Sequence, residues 1–160
     1  MLLGVAAVVV AFDQVTKTWA LRHLVLGQPR HVFGPLSWLR TFNTGAAFGI
    51  GGAVTPVVVA VVAVLVAGLL LFGRRASRTA TIPVATTLGL LLGGAVGNLV
   101  DRLVRHHHGG VIDFIDAVRV GGTDYWPIFN VADAAIVVGA VGLVLLYSLV
   151  SRERAEHAAR

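Results

Sequence analysis

The chain has 160 residues, of which 56% are hydrophobic and only 13% charged, about half the ~25% charged residues of an ordinary globular domain. That balance excludes a soluble globular protein and indicates a single integral membrane domain. Cysteine is absent, which excludes disulfides, thiolate catalysis and cysteine-based metal sites. The net charge of +5 comes from arginines clustered at span ends and in the tail. Such clusters suit anionic lipid head groups, and no nucleic-acid partner is expected.

Four stretches approach the ~20 apolar residues needed to span a bilayer: about 2–24, 54–73, 82–104 and 129–150. The first resembles a signal peptide, but its apolar run continues through "DQVTKTWALRHLVL" without a small-residue cleavage site, so a retained helix is expected. It carries Asp13 and Lys17 at i,i+4 spacing, which places them on one helix face. Residues 25–53 follow, including "RHVFGPLSWLRTFNTGAAFGI", a mixture of β-formers and turn residues. Short strands forming a small sheet against the membrane surface are expected there, with Trp38 at the interface. "RRASR" at 74–78 reads as a tight loop between spans two and three.

Gly89, Gly93 and Gly97 in the third span recur every four residues, a spacing that lets helices approach closely. Asp101 continues the same line and is expected to face the bundle. "RHHHGG" reads as a solvated loop, because three consecutive histidines point in different directions and make a poor metal site. "VIDFIDAV" is amphipathic and fits either a strand or a short helix. Within it Asp116 reads as a surface or capping acid, and Asp124 in "GGTDYWP" as a turn residue. The fourth span carries Asp133 about one turn inside an apolar run, where a carboxylate is costly. The tail "SRERAEHAAR" is polar and expected to fray. Trp19, Trp38 and Trp126 read as interface anchors.

The positive-inside rule leaves orientation open, with six arginines on either side. Parity of four antiparallel spans gives more. Both long connections then share one membrane face, and Asn43, Asn98, Asp101, Arg102, Asp113, Asn130 and Asp133 converge on it. Paired acids at such a face suit proton or ion translocation, metal binding, or peptide hydrolysis. In hydrolysis by two carboxyls, one takes a proton from water while the other, protonated, polarises the carbonyl. That chemistry needs no nucleophilic side chain, and Ser37 and Ser148 are poorly placed to supply one. A small proton- or ion-coupled transporter is the competing class, but it predicts polar residues through the full depth of the bundle. A structural assembly factor would need no acid pair, and the "GxGD" signature of presenilin-type peptidases is missing.

"DQVTK" (13–17), "NTGAAFG" (43–49), "GGAVGNLVDR" (93–102), "VIDF" (111–114) and "FNVADAAI" (129–136) resemble, in order, the motifs of the bacterial lipoprotein signal peptidases, or signal peptidase II. The resemblance implies an all-α membrane protein with four transmembrane helices, a small extracytoplasmic β-sheet and a short extracytoplasmic helix. It implies an aspartic endopeptidase of the bacterial cell membrane that cuts prolipoproteins before a diacylglyceryl cysteine. Its catalytic pair carries over to Asp113 and Asp133. Asn43, Asn98, Arg102 and Asn130 match residues that line the site, Asp101 matches an acid that orients it, and Asp13 and Lys17 match supports from the first span. Both termini are then cytoplasmic and the site faces outside. The expected partners are lipidated precursors and membrane lipids. A monomer is expected, with no metal or other cofactor. The run "LVRHHHGG" between "DR" and "VIDF" is longer and richer in histidine than the family's usual spacing.

Overall fold

The computed structural model describes residues 1–44, 68, 81–105 and 110–158. The second expected span, the "RRASR" loop and the three histidines lie outside these residues.

Among the described residues three helices are long and apolar enough to cross a membrane: α1 (Leu2–His23), α2 (Ile82–Val104) and α3 (Val131–Ala158). Pro83 stands in the first turn of α2, where a missing N–H costs nothing. α2 is the central element and packs on both neighbours. Its glycines make this possible. A Cβ on Gly93 would lie 2.8 Å from the Ala6 carbonyl oxygen in α1, and one on Gly94 would collide with the Ala132 carbonyl in α3. Gly89, Gly93 and Gly97 all face α1, so the small-residue line is a packing seam. Leu2, Ala6, Ala85 and Leu92 fill the gap between α1 and α2.

β1 (Arg30–Phe33), β2 (Leu36–Asn43) and β3 (Val111–Asp116) form an antiparallel sheet in that order. "VIDFID" is therefore a strand. It is buried along almost its whole length, as strands covered on both faces are, which is why its alternation was weak in the sequence. Ile112 and Phe114 pack with Ala20 and Leu24 at the end of α1, joined by Trp19, Trp38 and Phe42. Trp19 and Trp38 meet edge to face at a centroid distance of 5.6 Å. These two tryptophans thus fasten the sheet to α1, while Trp126 is exposed. β4 (Arg119–Val120) and β5 (Thr123–Asp124) form a second, two-stranded hairpin. Its turn, Gly121–Gly122, has φ of 59° and 87°, the doubly positive geometry that tight hairpins favour.

One expectation changes. The polar tail does not fray at Val150, because α3 continues to Ala158; its Arg and Glu residues are good helix formers once a helix has been nucleated. Among the described residues no short helix accompanies the three long ones.

Candidate active site

The start of α3 is built by a reciprocal cap. Asn130 precedes the helix, and its Oδ1 accepts the Asp133 N–H at 3.0 Å. Asp133 Oδ2 in turn accepts the Asn130 N–H at 3.1 Å. This is a capping box with an acid at its third position. It holds the Asp133 side chain in the first turn, where the helix dipole favours a carboxylate.

Asp113 arrives from β3, paired across the sheet with Thr41, and is 2% exposed. Asn130 Nδ2 donates to its Oδ1 at 2.7 Å, and the Asn43 side chain also hydrogen-bonds it. Burial and the neighbouring charge of Asp133 push the Asp113 carboxyl up to about 7, against the pull of these amides. Asn98 of α2 completes the link. Its Nδ2 donates to Asp133 Oδ1 at 2.7 Å, and its Oδ1 accepts Asn130 Nδ2 at 3.1 Å. Two amides thus join the two carboxyls, and both acids line one cavity of about 790 Å³. Asn43, Trp126, Phe129 and Val137 share its wall, so a polar pair sits in mainly apolar surroundings.

Behind the amides lies a buried ionic cluster. Lys17 is fully buried and lies 2.9 Å from each of Asp13 and Asp101, which are also fully buried. Its Nζ also donates to Asn98 Oδ1 at 2.9 Å. The Arg102 guanidinium donates to the Asn98 carbonyl at 3.4 Å and lies within electrostatic reach of Asp133, Asp113 and Asp101. All nine sequence-derived candidates therefore gather at one end of the bundle. Asp116 and Asp124 do not join them. Both pair with Arg119, and Asp116 is fully buried, not a surface acid. Burial and the nearby Asp124 raise its carboxyl above the usual range, opposed by Arg119.

Sequence reading missed Gln14, Thr18 and Arg105. Gln14 Nε2 bridges Asp13, Asp101 and the Gly97 carbonyl at 3.1–3.2 Å. Arg105 reaches Asp101 at 3.3 Å and donates to Gln14 Oε1 and Thr18 Oγ1 at 2.9 Å. The available signal was register: Gln14 and Thr18 are four apart, on the same side of α1 as Lys17.

A family model described as Signal peptidase (SPase) II matches residues 5–150. The chain belongs to the signal peptidase II family. Among curated lipoprotein signal peptidases, one from Mycobacterium leprae is 39% identical over 166 residues, covering 98% of this chain and 78% of the relative. One from Mycolicibacterium smegmatis is 44% identical over 150 residues, covering 91% of this chain and 60% of its own length. One from Xylella fastidiosa is 40% identical over 151 residues, covering 91% and 86%. Two solved bacterial membrane enzymes have the same fold, each 30% identical and covering 89% of this chain. Their TM-scores are 0.76 and 0.74, and this chain covers 84% and 89% of theirs. The match to the family model therefore spans all five motifs, and the likeness extends to the fold.

Proposed function

We propose that this signal peptidase II family member removes the signal peptide from diacylglyceryl-modified prolipoproteins, cutting before the lipidated cysteine, by aspartic chemistry at Asp113 and Asp133. One observation carries this reading. Two carboxyls from different elements line the same largely apolar cavity and are joined through Asn98 and Asn130. A carboxyl raised to about 7 holds its proton far above the usual carboxylate range and still carries it in a large fraction of molecules at neutral pH, which suits Asp113 to polarising the scissile carbonyl. Asp133, in the first turn of α3, then takes the proton of the attacking water. The proton on Asp113 passes to the leaving amine, and the two acids exchange roles through shared titration. Asn43 and Arg102 are placed to hold the peptide backbone or the head-group oxygens.

The lipid solves a delivery problem. Each buried CH₂ adds roughly 0.8 kcal/mol of membrane anchoring, so two acyl chains bring the peptide bond to bilayer depth and turn binding into orientation. The reading includes a fourth span within 54–73, both termini in the cytoplasm, a site on the outer face of the bacterial membrane, and a monomer forming one domain. The test is cleavage of a diacylglyceryl precursor beside the same precursor with a bare cysteine, by purified protein in one detergent mixture. The lipidated form should be cut at least about 100-fold faster. Equal rates would mean a more general membrane peptidase.

A further inference from the structure

Asp113 and Asp133 share a feature outside their carboxyl groups. Each follows a residue whose backbone N–H is held by another carboxylate. Ile112 N–H donates to Asp101 Oδ2 at 3.1 Å, and Ala132 N–H donates to Asp13 Oδ1 at 3.1 Å. The two holding carboxylates belong to different helices, but they are partners of one ammonium, Lys17 Nζ, at 2.9 Å each. Its remaining partner is Asn98 Oδ1, also at 2.9 Å. An ammonium has three donors and no acceptor, so this contact fixes which way the Asn98 amide faces. The oxygen must face Lys17, and the NH₂ must face Asp133.

We propose that Lys17 is a positioning residue that sets the spacing and donor geometry of the two aspartates. The proposal rests on the dyad reading above. A cation that merely clamped α1 to α2 would need Asp13 and Asp101 alone. Here each of the three partners continues to a different part of the site: Asp101 to β3 at Ile112, Asp13 to α3 at Ala132, and Asn98 to the Asp133 carboxyl. One side chain therefore references the strand that carries Asp113 and the helix that carries Asp133 to a single point. Gly97 belongs to the same device, since a Cβ there would lie 2.6 Å from Asp13 Oδ2.

Removing the cation alters charge as well as spacing. The charged groups around it are Asp13 on α1, Asp101 and Arg102 on α2, Arg105 just past its end, Asp113 on β3 and Asp133 on α3. The two effects separate in the pH profile of kcat. Lost positive charge moves both limbs of the bell upward together. Lost spacing changes the gap between the limbs, because that gap reports the coupling of the two carboxyls.

The experiment compares full-length wild type, Lys17→Met and Asp113→Asn, purified in detergent, on a lipidated precursor. Lys17→Met should lower kcat about 100-fold, with KM held within about threefold, and bring the limbs about one pH unit closer together. A kcat within threefold of wild type, or limbs that shift by equal amounts, overturns the proposal. If Lys17→Met is not recovered folded, Asp13→Asn and Asp101→Asn decide, because each weakens one tether. Each should lower kcat about tenfold at unchanged KM, and wild-type kcat in both overturns the proposal. An inactive Asp113→Asn beside an unimpaired Lys17→Met removes the positioning role alone. Full turnover in Asp113→Asn removes the dyad and this proposal with it.

Discussion

Asp113 and Asp116 stand three residues apart on one buried strand, and the structure uses them in opposite ways. Asp116 meets a cation, Arg119, at 3.4 Å. Asp113 meets amides, from Asn130 and Asn43, and a second acid. Their spacing puts them on opposite faces of the strand: Asp113 turns to the cavity beside α3, and Asp116 turns to the hairpin that Arg119 starts. An acid matched by a cation is a structural tie. An acid given only neutral donors, and placed beside a like charge, keeps its proton into the neutral range. Burial and a neighbouring acid are common to both, Asp133 beside Asp113 and Asp124 beside Asp116, so the paired cation marks the difference.

The largest effect on that contrast should come from Asn130→Ala. It removes the donor to Asp113, the link to Asn98 and the cap of α3 in one step. Turnover should fall about 100-fold. The lost cap alone costs about 1 kcal/mol of stability, so folded protein should still be recovered and its unfolding measurable. Near-wild-type kcat would show that the amide pair is not part of the chemistry.

A second effect is on pH dependence. The Asp113 carboxyl is raised to about 7, so it is protonated below that pH and loses its proton above it. As the proposed acid it should give a kcat that falls about tenfold per pH unit on the alkaline side. Weakening the Asn43 amide by Asn43→Ala should move this limb to higher pH, because a donor to a carboxylate favours its charged form. Movement to lower pH would contradict the assignment.

How far could these two acids be told apart from the sequence? Asp133 was legible because a charge inside an apolar run has few structural uses, and the four-residue glycine line pointed Asp101 inward. The three long helices and the presence of a small sheet followed from apolar length and β-rich composition. "VIDFIDAV" was ambiguous because a strand buried on both faces loses its period of two. The burial of Asp116 was hidden because its partner Arg119 lies three residues on, a spacing that also describes an exposed pair. Gln14, Thr18 and Arg105 escaped notice because single uncharged polar residues within a helix, and an arginine just past one, carry little signal in sequence. Only the meeting of α1 and α2 gives them a role.

The smallest effect should be that of Asp116→Asn. Asn keeps the shape and loses only the tie to Arg119, so kcat should stay within about twofold and apparent Tm should fall by a few degrees. A large loss of turnover with intact stability would place the chemistry at the wrong end of β3.

The most direct measurement is single-turnover cleavage of a lipidated prolipoprotein by purified wild type, Asp113→Asn and Asp133→Asn, each first shown to be folded in the same detergent. The two-carboxyl account predicts that either substitution lowers the rate by about 10³-fold or more, since each removes a proton-transfer group worth 10² to 10⁴. Activity within tenfold of wild type in either folded variant would contradict it.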